Sequence, residues 1–307
     1  IGAKAFTEQY VLANLLSQWI ELKTDHPTAQ MQSLGSMVAF DALATGEVDV
    51  YVDYSGTLWT NEMGRQTVVM DRSRLLAEVS AFLADVYGIQ VVATLGFENA
   101  YAIAARAREA EKMHLTRISD LIPLAPDLSI GGDYEFFSRP EWIAVRDTYG
   151  FAFREQRTMD PALMYQAAAE GAVDLISAFT TDGRLTAYNL QILEDDRAAI
   201  PPYDAIILIS AKLARTRPDV VTALRQLEGT INADEMRLMN LTVDEYGADG
   251  RTQDRAQSRV DRTLPRCLPE QRSRSGKPCP RVWDFARNTG RVCLSESPEG
   301  HRRPAGR

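Results

Sequence analysis

Two stretches of this chain, 125 residues apart, follow one plan. Ala44-Thr-Gly-Glu-Val-Asp-Val-Tyr-Val-Asp-Tyr54 lies over Ala169-Glu-Gly-Ala-Val-Asp-Leu-Ile-Ser-Ala-Phe179 without a gap. Each reads as a helix end, a glycine that turns the chain, Val-Asp, and a strand closing on an aromatic ring. Ser55 or Thr180 follows the ring. Gly-x-Val-Asp is also the turn of many ordinary helix-to-strand connections, so the pattern alone fits two unrelated turns equally well. The sharper reading is two halves of similar build, each ending a parallel strand on a ring. Ligands of open α/β sheets sit beyond the carboxyl ends of strands, so both rings would then face one crevice.

The rest of the first 250 residues agrees with an α/β class, since short β-rich runs alternate with amphipathic helical patterns. Residues 1–6 read as a strand. Thr7 is the expected cap of a helix carrying Val11, Leu12, Leu15, Leu16, Trp19 and Ile20 on one face. Residues 73–87 repeat the helical period with Leu75, Leu76, Val79, Phe82, Leu83 and Val86. Further helices are expected at 140–149, 161–170, 218–227 and 233–239. Three of these open on proline, whose missing N–H costs nothing in a first turn. A length of 307 residues suits two domains, each with its own core.

Charge divides the chain differently. Residues 251–307 carry 14 Lys/Arg against 6 Asp/Glu, whereas residues 1–250 carry 20 against 36. A body of net charge −16 argues against nucleic acid as a partner, because phosphates require a basic face. The basic tail is rich in Arg, Ser and Pro without a sustained period, and is expected to be disordered, non-functional, and a frame-shifted reading of the gene's end. It holds all three cysteines, Cys267, Cys279 and Cys293, which lack the paired spacing of a zinc site. No metal or cofactor is expected. The cysteine-free body is compatible with an oxidising compartment. Its longest apolar runs, such as 205–210, are too short to span a bilayer. No secretory signal precedes Ile1, so an exported protein of this sequence would have lost its signal or anchor, or belonged to a longer precursor.

Several motifs, in order, resemble the substrate-binding proteins of osmoprotectant ABC importers, the glycine betaine, choline and carnitine binders. They are Gly2-Ala-Lys4-Ala-Phe6-Thr-Glu-Gln-Tyr10, Val48-Asp-Val-Tyr-Val-Asp-Tyr54-Ser-Gly-Thr57, Gly96-Phe-Glu-Asn-Ala-Tyr101, Ala178-Phe-Thr-Thr-Asp-Gly-Arg184, and Asp195-Asp followed by Pro201-Pro-Tyr203-Asp204. The resemblance covers about residues 1–247 and stops at the tail. It implies a type II periplasmic-binding-protein fold with a ligand cleft between two lobes. Residues 1–97 and 203–250 would form lobe one, 98–202 lobe two, and 251–307 the tail. It further implies a monomer in the periplasm or on the outer face of the cytoplasmic membrane, passing its ligand to a membrane permease and closing about a hinge.

The resemblance also implies a site. A trimethylammonium group donates no hydrogen bond, but its diffuse positive charge suits the negative faces of aromatic rings. Carried over by position, the cage would be Tyr54, Tyr101, Phe179 and Tyr203. Phe179 departs from the family, where tyrosine is commoner; it keeps the ring face and loses the hydroxyl. Arg139 stands at the family's carboxylate-binding arginine, with Lys4 and Thr57 as further polar contacts and Asn99 orienting the cage. Singly, a ring at a strand end usually packs in a core, and an arginine before a helix usually faces water. Their joint order carries the reading.

An enzyme is not expected, since the sequence has no Gly-x-Ser-x-Gly elbow, phosphate loop or His-Glu-x-x-His. His26, His114 and His301 read as surface residues, and Asp195-Asp196 on a strand would point to opposite faces. The alternative to transport is the effector domain of a regulator with the same two-lobed fold, which would need a helix-turn-helix before Ile1.

Overall fold

A computed structural model describes residues 1–246 apart from 66–70 and 151. The tail at 251–307 therefore lies outside the described residues. In chain order the first elements are β1 (Gly2–Lys4), α1 (Thr7–Thr24), β2 (Met31–Leu34), α2 (Ser36–Thr45), β3 (Val50–Tyr54), α3 (Ser55–Asn61), α4 (Arg72–Tyr87) and β4 (Gln90–Glu98). The chain then crosses to β5 (Tyr101–Arg106), α5 (Ala107–Met113), β6 (Ser129–Gly132), α6 (Pro140–Tyr149), β7 (Glu155–Thr158), α7 (Pro161–Glu170), β8 (Leu175–Phe179), α8 (Arg184–Ala187) and β9 (Leu190–Leu193). It returns through 194–203 to β10 (Asp204–Ile209), α9 (Ala211–Thr216), α10 (Pro218–Arg225) and α11 (Ala233–Tyr246).

The strands form two five-stranded sheets, ordered β2-β1-β3-β10-β4 and β7-β6-β8-β5-β9. The two orders share one pattern. In each, three parallel strands meet an antiparallel fourth, β10 against β3 or β5 against β8. The repeated sequence stretches fall on equivalent strands, β3 and β8. Gly46 and Gly171 turn into them with φ of 79° and 80°, left-handed values that favour glycine. Tyr54 and Phe179 are the last residues of those strands.

Each sheet is covered on both faces, and strand alternation assigns the side chains. Val50, Val52 and Tyr54 of β3, with Ala205, Ile207 and Ile209 of β10, pack on Leu12, Leu16 and Leu224 from α1 and α10. Tyr51, Ile206 and Leu208 point the other way, to Phe40, Leu58, Leu75 and Leu83 from α2, α3 and α4. In the second sheet, Ile103 and Leu175 meet Phe136, Trp142 and Phe153 on one face. Ala104, Ile176 and Ala178 meet Met164 and Tyr165 on the other.

Local corrections to the sequence reading have physical causes. Phe6, not Thr7, is the N-cap of α1, and no side chain caps it. The Thr7 hydroxyl instead donates to Asp244 Oδ1 on α11 at 2.6 Å. Val86 shares the helical period of α4 but is 57% exposed. Asp195 and Asp196 lie past the end of β9, and both accept from the Tyr149 hydroxyl, at 2.5 and 3.1 Å. No helix among the described residues is long and apolar enough to cross a membrane.

Candidate functional site

The two crossings, 99–100 and 194–203, run side by side. Asn99 N–H donates to the Tyr203 carbonyl at 3.1 Å, and Tyr203 N–H donates to Glu98 Oε2 at 3.2 Å. Thr180, just after β8, ties that strand to the first crossing: its hydroxyl donates to the Glu98 carbonyl at 2.6 Å and accepts from Ala100 N–H at 3.0 Å. Beside these crossings lies a cavity of about 690 Å³ between the sheets.

All eight residues singled out from the sequence line it: Lys4, Tyr54, Thr57, Asn99, Tyr101, Arg139, Phe179 and Tyr203. Sheet register explains part of this convergence. Tyr101 is paired directly with Phe179, and their ring centroids lie 4.6 Å apart at 41°. Ala205 is paired with Tyr54, which brings Tyr203, two residues earlier, to the same strand end. Tyr203 also packs against Gly56, where an added Cβ would sit 2.8 Å from two of its ring atoms and from the Pro202 carbonyl. Only glycine leaves the ring that room.

A fifth ring was not singled out from the sequence. Phe6 lines the cavity, is 38% exposed, and stacks on Tyr54 at 6.4 Å and 27°. It follows β1 closely, just as Tyr54 ends β3, so the strand-end argument applied to Tyr54 would have found it.

The hydroxyls of these rings face carboxylates. Tyr54 donates to Glu8 Oε1 at 2.5 Å, and Tyr203 donates to Glu141 Oε1 at 2.9 Å. Burial pushes both phenols above their ordinary values, and the neighbouring acids add to it. Burial likewise pushes Tyr101 up to about 12, with Arg139 opposing. The tyrosine rings of the cavity are therefore neutral at physiological pH. Protein cations already stand near two of them. Arg139 Cζ lies 5.0 Å from the Tyr101 centroid, and Lys4 Nζ lies 5.6 Å from that of Tyr54.

Each of these cations has a carboxylate partner. Lys4 Nζ lies 2.6 Å from Asp53 Oδ1, with both side chains buried. Arg139 Nε donates to Glu141 Oε2 at 3.3 Å, and its Nη1 lies 3.6 Å from Glu135. On the far wall, Arg184 Nη2 pairs with Asp182 at 2.7 Å.

Glu8, also missed from the sequence, is 2% exposed at the start of α1. It accepts from Tyr54, from Asn99 Nδ2 at 3.2 Å and from Asn240 Nδ2 at 3.1 Å. Asn99 thus reaches the ring of Tyr54 through Glu8. Burial pushes the Glu8 carboxyl above its ordinary value, while hydrogen bonds from Thr181, Tyr54, Asn240 and Asn99 pull it down. A folded value above the unfolded one makes the group's contribution to stability fully present below the unfolded pKa, about 4.5. That contribution is lost as pH rises through the folded value. The melting temperature of wild type relative to Glu8→Gln should accordingly decline on the neutral side of pH 4.5. Thermal unfolding of both proteins over a pH series measures this, and a constant difference would refute it.

Among the described residues no cluster of three or more His, Cys, Asp or Glu could hold a metal ion. What the cavity does offer is several neutral rings, three cations each beside a carboxylate, and the further acids Glu8 and Asp244.

Residues 1–256 match the family described as the substrate binding domain of ABC-type glycine betaine transport systems. The carnitine transport binding protein OpuCC of Listeria monocytogenes is 30% identical over 255 residues, covering 82% of this chain and 81% of that protein. A glycine-betaine-binding protein of Pseudomonas aeruginosa is 27% identical over 258 residues, covering 80% and 81%. The crystal structure of a glycine betaine/carnitine/choline ABC transporter superposes with a TM-score of 0.76 at 28% identity, covering 85% of this chain and 95% of that one. The architecture is accordingly the two-lobed one of periplasmic binding proteins. The chain belongs to the substrate-binding domains of ABC-type glycine betaine transport systems, a family of solute-binding transport proteins and not of enzymes.

Proposed function

We propose that this protein captures a quaternary-ammonium solute between its two sheets, outside the cytoplasmic membrane, and delivers it to the permease of an ABC importer. The observation that supports this most is the meeting of Phe6, Tyr54, Tyr101, Phe179 and Tyr203 on one cavity from five separate points of the chain. Tyr54 is 5% exposed and belongs to the first core, but Phe6 and Phe179 are each more than a third exposed. Each desolvated ring facing a cation contributes about 0.5–2 kcal/mol. Four or five of them therefore supply much of the roughly 8 kcal/mol of a micromolar complex.

In this reading each sheet with its helices is one lobe, divided at residues 97–98 and 202–203, and ligand draws the lobes together about the paired crossings. Tyr54 and Phe6 belong to one lobe, Tyr101 and Phe179 to the other, and Tyr203 to the boundary. Closure then completes a cage that neither lobe holds alone. The relatives' names, carnitine- and glycine-betaine-binding, agree with this ligand class.

A ligand that binds only the native state raises its stability, by about 2.7 kcal/mol at a hundredfold excess over Kd. For a chain of this size that corresponds to a rise in melting temperature of roughly 5–10 °C. Differential scanning fluorimetry of the full chain with choline, glycine betaine and carnitine, against glutamine and histidine, is the test. Stabilisation by the amino acids but by none of the quaternary ammonium compounds would overturn the proposal.

A further inference from the structure

Three cations line the cavity, and each is already held by an acid. Lys4 has Asp53, Arg184 has Asp182, and Arg139 has Glu141 with Glu135 behind it. A solute that brings its own carboxylate meets no positive charge there without an acid beside it; at Arg139, Glu141 takes Nε and leaves only the Nη groups. To engage Arg139 it must either displace Glu141 or lie beside it, anion against anion.

Glu141 is not easily displaced. Its side chain is 6% exposed, and it accepts from the Tyr203 hydroxyl at 2.9 Å while holding Arg139 at 3.3 Å. It occupies the first turn of α6 behind Pro140, where the exposed N–H groups of the helix end favour a negative charge. Losing Arg139 would leave a buried carboxylate without its counter-ion, which is the costly half of breaking such a pair. A solute ending in a neutral hydroxyl makes no such demand. Its positive end meets the rings, and its hydroxyl can donate to a carboxylate without disturbing the pair.

From this we infer that Glu141 is a specificity-determining residue: by compensating the charge of Arg139 it tilts the site toward quaternary ammonium ions with a neutral hydroxyl tail and away from those with a carboxylate. The inference rests on the ring cavity being the ligand site.

Titration calorimetry on the full chain, with choline and glycine betaine as probes, tests it in wild type and in Glu141→Gln. Glutamine keeps the size and an acceptor for Tyr203 while removing the charge. Wild type should bind choline about tenfold more tightly than glycine betaine, the effect of one charge-assisted contact denied. In Glu141→Gln the ratio of the two dissociation constants should move toward glycine betaine by about tenfold or more. A wild type that prefers glycine betaine overturns the inference even if the variant does not fold. So does a folded variant whose ratio matches that of wild type. In both cases the ring cavity stands as the ligand site. If neither probe binds wild type, the ligand-site reading falls, and the role of Glu141 with it.

Discussion

Tyr203→Ala is expected to weaken choline and glycine betaine together, each by about 2–3 kcal/mol, or roughly 30- to 150-fold. The ring lies at the boundary between the sheets, against Gly56, with its hydroxyl on Glu141 of α6. Its loss removes one face of the cage and one contact between the two sides at once. The change does not discriminate between the ligands, because the ring meets the ammonium end that both share. Tyr203→Phe separates the two contributions. It keeps the ring and drops the bond to Glu141, so affinity should fall much less than in the alanine variant. Calorimetry on both variants measures this. An alanine variant that binds either ligand within about threefold of wild type, below 1 kcal/mol, would remove Tyr203 from the cage.

The largest effect on stability is expected at Trp142, which does not itself line the cavity. Its side chain is 2% exposed and sits among Phe136, Phe137 and Phe153, with centroids 5.3, 5.4 and 6.0 Å away. Trp142→Ala should destabilise the fold by about 3–5 kcal/mol, through lost burial and the cavity left behind. The melting temperature should fall by about 10 °C or more. Trp142 is also on α6 next to Glu141, so the surviving folded protein should bind ligand more weakly than wild type. Trp142→Phe keeps an aromatic ring in the cluster and should recover most of the loss. Differential scanning calorimetry of the two variants is the measurement. A melting temperature for the alanine variant within 2–3 °C of wild type, under about 1 kcal/mol, would contradict the packing described.

What the sequence disclosed, and what it withheld, follows from how far apart the partners lie along the chain. The repeat at 44–54 and 169–179 is local, so the glycine turns and the strand-terminal rings were legible, and they fall on equivalent strands. The four rings of the expected cage could be carried over by position because each lies in a short, recognisable motif. The fifth, Phe6, lies within a motif already noticed, just past a strand, and its stacking on Tyr54 places it in the same cluster. The acids were hidden for a different reason. Glu8 is a first-turn acid of α1 and Glu141 a first-turn acid of α6, which is where helices ordinarily place them. Nothing local says that Glu8 is buried under Tyr54, Asn99 and Asn240, residues 46, 91 and 232 positions away. Arg139 was carried over as a carboxylate contact on its position in the motif alone. Its engagement by Glu141, two residues on, depends on the turn between the 3-10 segment Phe136–Ser138 and α6, which periodicity does not report.

The order of strands has a consequence for how the molecule comes into being. All five strands of the second sheet come from one uninterrupted stretch, Tyr101–Leu193, whereas the first sheet is split, with β10 seated between β3 and β4. During synthesis β10 follows β4 by 106 residues, on the order of 5–20 s at ribosomal rates. For that interval β3 and β4 have no common neighbour, and the apolar faces that Ile206, Ile207 and Leu208 will cover stay open. The second half of the molecule can be finished while the first, begun earlier, still waits. The half made first is thus completed last, and the strand that completes it begins one residue after Tyr203, the last ring of the cage to be made.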